Sequence, residues 1–132
     1  MKGKKINDRI AEPTRSELEI LQVLWQNGPS TARFINDYLN KEKREVIYMS
    51  TLKLMQIMVE KGLLTKDDSQ QKHIYKAAVE EGKTKGHLLD KVVENLFGGS
   101  AGSLMMQLLG NKKITEQEME LYKELIKKVD EK

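Results

Sequence analysis

Residues 48–76, YMSTLKLMQIMVEKGLLTKDDSQQKHIYK, decide the predicted fold of this 132-residue chain. Apolar residues recur at helical spacing through residues 48–60 and predict a helix there, with Ser50 or Thr51 close to its cap. Gly62 stands where a left-handed residue commonly ends a helix. A new element is therefore expected to begin just after it.

The second half of this stretch has a different pattern. Residues 63–65 and 73–76 are short and strand-like, and residues 66–72 between them are polar. Two strand-like segments on either side of a polar tip predict a long β-hairpin. A helix followed at once by a hairpin is typical of the second half of a winged helix-turn-helix.

Two further helices are predicted nearer the N-terminus. Thr14 and Glu17 have the spacing of a capping box, and apolar residues follow at a helical period as far as the break at residues 27–29. Ser30 or Thr31 caps a second helix of similar length. Three short helices followed by a hairpin predict a winged helix-turn-helix domain.

The C-terminal part is predicted to be helical. Apolar stripes at residues 88–97 and 104–109 flank the segment GGSAGS at 98–103, which we interpret as a flexible connection between helices. Thr115 and Glu118 form a second capping box, at the start of the last helix.

Dimerisation is inferred from how apolar these C-terminal stripes are. About 50 residues of helix cannot bury them against one another, whereas a second copy of the chain would cover them. Packing on the winged helix of the same chain is the alternative. The predicted interface consists of Leu88, Leu89, Val92, Val93, Leu96, Phe97, Leu104, Met105, Leu108, Met119 and Leu125.

The predicted fold class is therefore mainly α with a small β-hairpin wing. We expect an N-terminal winged helix-turn-helix domain that binds DNA over residues 1–80. A C-terminal helical dimerisation domain is expected over residues 81–132.

Composition excludes several classes of protein. The chain has no cysteine, which excludes disulfides, thiolate metal sites and a cysteine nucleophile. No apolar run reaches the roughly 18 residues of a membrane span, and the opening residues MKGKK lack the apolar region of a signal peptide. We therefore expect a cytoplasmic protein.

Catalysis and cofactor binding have no supporting pattern. The serines stand outside any nucleophile elbow, and His73 and His87 have no carboxylate or second histidine at ligand spacing. The glycine-rich residues 98–102 lack the strand and the Gly-Lys-Ser/Thr of a phosphate loop. We expect a protein that is not an enzyme and holds neither a metal nor a small-molecule cofactor.

Positive charge is concentrated in the first part of the chain. Residues 1–76 have 14 Lys and Arg against 10 Asp and Glu, a net charge of +4, and residues 77–132 have 9 against 10, a net charge of −1. A mildly basic first part permits binding to double-stranded DNA.

The helix before the hairpin is the candidate for reading DNA. Its face opposite the apolar stripe has side chains that can reach base edges or phosphates in a major groove, namely Met49, Ser50, Lys53 and Gln56, with Ile57 beside them. Candidates for phosphate or minor-groove contact are Lys66, Lys72 and His73 in the hairpin. Arg15 and Arg33, near the starts of the first two helices, are candidates for phosphate contact. An ordinary amphipathic helix with a solvated face is the alternative.

Three ordered motifs resemble one known family. They are residues 13–25 with Gly28-Pro29, residues 48–51 through 60–63, and residues 97–100 with Ser103-Leu104. In order and spacing they are similar to the BlaI/MecI/CopY family of penicillinase-type repressors, over nearly the whole chain.

The chain departs from the pattern of this family in the helix before the hairpin and in its cysteine content. Met49 stands where the family commonly has Thr, and Ile57 stands where it often has Arg, so this face has fewer polar groups. Copper-responsive members have a C-terminal cysteine pattern that this chain lacks, which excludes that branch.

The resemblance implies a function. It implies a homodimeric transcriptional repressor that occupies a palindromic operator of a β-lactam-resistance operon and is inactivated by a membrane sensor metalloprotease. In the family the protease cuts an Asn-Phe bond after the Gly-Ser connection, and aligning Ser103-Leu104 places Gln107-Leu108 at that bond. A winged-helix module that binds a partner protein and no DNA is the alternative.

Overall fold

The structure is a computed structural model that describes residues 12–110 and 115–130. Its elements run in chain order α1 (Arg15–Asn27), α2 (Ala32–Glu42), α3 (Tyr48–Glu60), β1 (Leu64–Asp67), β2 (Ile74–Ala77), α4 (Glu81–Phe97), α5 (Ala101–Gly110) and α6 (Glu116–Asp130). A two-stranded antiparallel hairpin after three helices, within a mainly helical chain, confirms the predicted fold class.

Local capping signals position the first two helices. Thr14 Oγ1 accepts a hydrogen bond from the Glu17 amide at 3.2 Å, and the Thr14 amide donates to Glu17 Oε1 at 2.9 Å, so the predicted capping box is present. At the start of α2, Thr31 Oγ1 accepts from the Phe34 amide at 3.1 Å. Thr31, rather than Ser30, is therefore the cap of this helix.

The predicted cap of α3 is wrong. Ile47 is the N-cap, and its side chain makes no capping hydrogen bond. Thr51 lies inside the helix and is buried, and its hydroxyl accepts a hydrogen bond from Asn36 of α2. At the other end Gly62 has a φ of 84°, and the Leu63 amide donates to the Met58 carbonyl at 2.9 Å, which closes α3 as expected.

The hairpin is joined to the helices by an extra bridge. β1 and β2 pair with Lys66 opposite Tyr75, and β2 also pairs with the segment just before α2. The Ser30 amide donates to the Tyr75 carbonyl at 2.9 Å, and the Tyr75 amide donates to the Ser30 carbonyl at 2.8 Å. The position of the wing relative to the start of α2 is thereby fixed.

One hydrophobic core joins α1, α2, α3 and the hairpin. Its buried members are Ile20, Leu21, Val23, Leu24, Ala32, Ile35, Leu39, Met55, Met58, Leu63, Leu64 and Tyr75. The indole of Trp25 packs against this core and donates to the Val79 carbonyl at 3.1 Å, which holds the chain where it leaves the hairpin.

The chain divides into two compact units, one ending at Gly86 and the other beginning at His87. The division falls within α4. From Glu80 onward none of the side chains that the structure describes is buried. No helix in the described ranges is long and apolar enough to cross a membrane.

The predicted flexible connection at residues 98–103 is shorter in the structure. It comprises only residues 98–100, where Gly98 and Gly99 have φ values of 58° and 86°. α5 begins at Ala101 because the Ser100 hydroxyl accepts a hydrogen bond from the Ser103 amide at 3.0 Å and acts as its cap. The second predicted capping box, Thr115 with Glu118, is present with distances of 3.0 and 3.1 Å.

Candidate nucleic-acid interface

A buried polar network fixes the rotation of α3 about its axis. The amide nitrogen of Asn36 donates both to Thr51 Oγ1 and to the Val46 carbonyl, each at 2.9 Å. Asn36 and Thr51 are buried, so breaking their bond would deprive the Thr51 hydroxyl oxygen of this donor at a site without water. Met55 and Met58 lie on this same face and are also buried.

The opposite face of α3 is open to solvent. Met49, Ser50, Lys53 and Gln56 are all exposed, and with Leu52 they line a groove of about 350 Å³, which we call the reading groove. Ser, Lys and Gln side chains can hydrogen-bond base edges, and an apolar side chain can contact a thymine methyl group. Met49 offers such a contact, because it is 65% exposed among polar neighbours.

A second groove lies between the start of α2, α3 and the hairpin. This wing groove has a volume of about 600 Å³, and its cationic side chains are Arg33, Lys66 and Lys72. Leu52 and Gln56 line both grooves, so the two form one continuous surface. No Asp or Glu lines either groove in the described part of the chain, which favours an anionic ligand.

Arg33 is held in a defined position. Its guanidinium carbon lies 4.0 Å from the centre of the Tyr48 ring, within the range of a cation–π interaction. Arg33 is in the first turn of α2, whereas Tyr48 is the first residue of α3. The contact therefore joins the two helices at the wing groove.

Tyr75 forms a rigid and uncharged part of the wing groove. The residue is 1% exposed, and burial raises the pKa of its phenol, with a smaller contribution from Tyr48. The phenol therefore stays neutral at physiological pH.

At the hairpin tip the Ser69 amide donates to the Asp67 carboxylate at 2.9 Å and lowers the pKa of that exposed group.

The structure places Arg15 apart from the other candidate residues. Arg15 lines a third groove, at the start of α1, together with Lys43 and Arg44 at the end of α2. Arg44 is already paired there, since its guanidinium lies 2.8 Å from the Glu19 carboxylate. All the other candidates line the reading groove or the wing groove, namely Arg33, Met49, Ser50, Lys53, Gln56, Lys66, Lys72 and His73.

Tyr48 and Gln71 also line the wing groove, although no functional role was predicted for either of them. The signal for Gln71 was its place beside Lys72 in the polar tip. No local signal points to Tyr48, because its partner Arg33 lies in another helix.

The sequence matches the family model of the penicillinase repressors over residues 13–128. The chain belongs to the penicillinase repressor family. Membership of this family indicates a transcriptional repressor that binds DNA, and its members are regulators rather than enzymes. No curated protein matches the sequence.

In this member of the penicillinase repressor family the C-terminal helices have uncovered apolar side chains. Leu96 is 74% exposed, Leu89 51% and Leu125 53%. Val92 is exposed as well, and the remaining predicted interface residues, Leu88, Val93, Phe97, Leu104, Met105, Leu108 and Met119, are half-buried. Such apolar faces are typical of surfaces that a partner covers.

The bond predicted for cleavage lies inside a helix. Gln107 and Leu108 are within α5, with Gln107 exposed and Leu108 half-buried. A protease binds its substrate as an extended strand, so α5 has to unwind locally before this bond can be cut.

The described residues contain no group of three or more His, Cys, Asp or Glu side chains that could hold a metal ion. The arrangement of the two grooves instead supports hydrogen bonding to base edges beside ionic contact with phosphates.

Proposed function

We propose that this member of the penicillinase repressor family is a homodimer that occupies a palindromic operator in the cytoplasm and blocks access to the promoter. In this proposal residues 1–80 bind DNA and residues 81–132 dimerise. The observation that carries it is the continuous surface of the reading and wing grooves, which combines base-reading groups with three cations and is lined by no carboxylate in the described chain.

The exposed face of α3, which contains the reading groove, has side chains suited to the major groove of DNA. Lys53 and Gln56 lie one turn apart on the exposed face of α3, next to Ser50 and Met49. Gln can form a bidentate contact to adenine, and Lys can contact guanine. The wing groove would then lie along the backbone, with Arg33, Lys66 and Lys72 contacting phosphates.

A homodimer explains the uncovered faces of the C-terminal unit. Leu89, Leu96 and Leu125 are each more than half exposed, and a two-fold partner would remove them from water. Met105 and Met119 suit such a contact, because the unbranched thioether fills irregular gaps. Two-fold symmetry then presents two copies of α3 to two half-sites one helical turn apart or a multiple of it.

Release from DNA is proposed to follow proteolysis. A membrane sensor metalloprotease of a β-lactam-resistance operon would cut at Gln107-Leu108 and separate α6 from the rest of the chain. The dimer would lose part of its interface, and each remaining half would bind a single half-site weakly.

The proposal of a dimer is tested by comparing binding to a duplex that has one half-site with binding to a duplex that has two. A dimer should bind the two-half-site duplex more tightly by at least about a hundredfold, because the second contact is intramolecular. Equal affinity for the two duplexes would contradict it. Specific binding to a partner protein, without binding to either duplex, would instead favour the protein-interaction module.

A further inference from the structure

We propose that Tyr48 is a positioning residue for DNA binding: its ring holds the Arg33 guanidinium at the wing groove, ready for a backbone phosphate. The inference rests on the proposed function, because the phosphate belongs to the operator. The contact that carries it is the 4.0 Å separation between the guanidinium carbon of Arg33 and the centre of the Tyr48 ring.

The contact with the Tyr48 ring, called the stack below, leaves N–H donors of Arg33 available. A guanidinium has five N–H donors, so one contact with a ring cannot occupy all of them. No ion pair joins Arg33 to a carboxylate within the described residues. A phosphate can therefore accept two parallel hydrogen bonds from it while the stack persists.

Arg44 provides a contrast within the same chain. Its Nη2 donates to the Glu19 carboxylate at 2.8 Å, so its charge is already paired with a carboxylate. Arg44 also lies at the third groove, away from the wing. It is therefore the matched arginine whose removal should leave DNA binding unchanged.

Preorganisation is the expected benefit of the stack. A free arginine samples many rotamers, and immobilising it on DNA costs about two- to tenfold in affinity. Tyr48 is half-buried at the first residue of α3, so its ring is itself fixed by the fold. The conformational entropy of the Arg33 side chain is then lost when the protein folds rather than when it binds DNA.

The test is a double-mutant cycle on a duplex that the wild-type chain selects from a random-sequence pool. Tyr48→Phe keeps the ring and should bind like wild type, whereas Tyr48→Leu should weaken binding about two- to tenfold for each half-site. In an Arg33→Ala background Tyr48→Leu should cause no further loss. Arg44→Ala is the control and should match wild type.

Two results would overturn the inference while the proposed function stands. One is an equal loss from Tyr48→Leu in both backgrounds, since the ring would then only support the helix. The other is an absence of any loss. A wild-type chain that selects no duplex overturns the proposed function and this inference together.

A measurement on the free protein keeps the inference testable if Tyr48→Leu folds poorly. The aromatic ring should shift the NMR signals of the Arg33 side chain upfield in wild type and in Tyr48→Phe. Unshifted Arg33 signals in the folded wild type would overturn the inference. Fluorescence of Trp25, the single tryptophan, reports whether each variant is folded.

Discussion

The ammonium nitrogen of Lys61 lies 2.9 Å from both carboxylate oxygens of Glu17 and joins the end of α3 to the start of α1. The Glu17 side chain is 3% exposed and also accepts the Thr14 amide of the capping box. One buried carboxylate therefore caps α1 and anchors α3, which presents the reading groove.

Removing this pair should destabilise the winged helix. Lys61→Met leaves the Glu17 carboxylate buried without its cation. Breaking a fully buried pair costs about 3–5 kcal/mol, and water at the part-exposed Lys61 lowers the expected loss to about 2 kcal/mol. Urea unfolding followed by Trp25 fluorescence measures it. Lys53→Met, the same change at an exposed site, is the control, and equal stability of the two variants would contradict the assignment.

Removing polar groups from the reading groove should weaken operator binding. Lys53→Ala and Gln56→Ala should each cost about 1–3 kcal/mol of binding free energy if the side chain contacts a base edge. Both side chains are exposed, so the free energy of unfolding should hardly change. Lys76→Ala, at an exposed site outside both grooves, is the control. Unchanged affinity for the operator in both variants would show that α3 is not the helix that contacts the bases.

A charge on the uncovered face of α4 should break the dimer. Leu96→Asp places an unpaired carboxylate where the proposed partner would exclude water. Sedimentation should then show a monomer at micromolar concentration, with wild type a dimer. Asn95→Asp adds the same charge at the next exposed position and should stay dimeric. A monomeric wild-type protein would refute the proposed two-fold dimer.

Proteolytic induction should depend on the residues at the proposed bond. Leu108 lacks the aromatic ring found there in the family, and a pocket selective for that ring should lose roughly 1–3 kcal/mol. The Gln107→Asn/Leu108→Phe double variant should therefore be cut faster by a protease of the family type. Mass spectrometry of the protein from cells treated with a β-lactam locates the cut. Cleavage outside residues 103–110, or derepression with intact protein, would argue against this switch.

Local signals in the sequence account for most of the fold. The capping box of Thr14 and Glu17, the left-handed Gly62 and the polar hairpin tip each depend on neighbouring residues, and the structure has all three. The early start of α5 was missed because the glycine-rich composition outweighed the capping role of Ser100.

Contacts between distant residues could not be predicted in the same way. Glu17 and Lys61 are far apart in the chain, and neither the capping pattern nor the helix stop indicates that they meet. Thr51 was predicted close to a helix cap, but its hydroxyl instead accepts a hydrogen bond from Asn36. Asn36 lies in another helix, so no local pattern in the sequence indicates this contact. Such pairs depend on how the helices cross, which periodicity does not specify.

Sequence-specific binding to DNA is the central claim, and a mobility-shift titration on the promoter of its own operon tests it most directly. We predict a complex that the same unlabelled duplex displaces and a scrambled duplex of equal composition does not. About six phosphate contacts from Arg33, Lys66 and Lys72 in two subunits should give a log–log salt slope of about −5. Equal affinity for both duplexes would contradict sequence-specific binding, and a slope shallower than about −2 would contradict the proposed phosphate contacts.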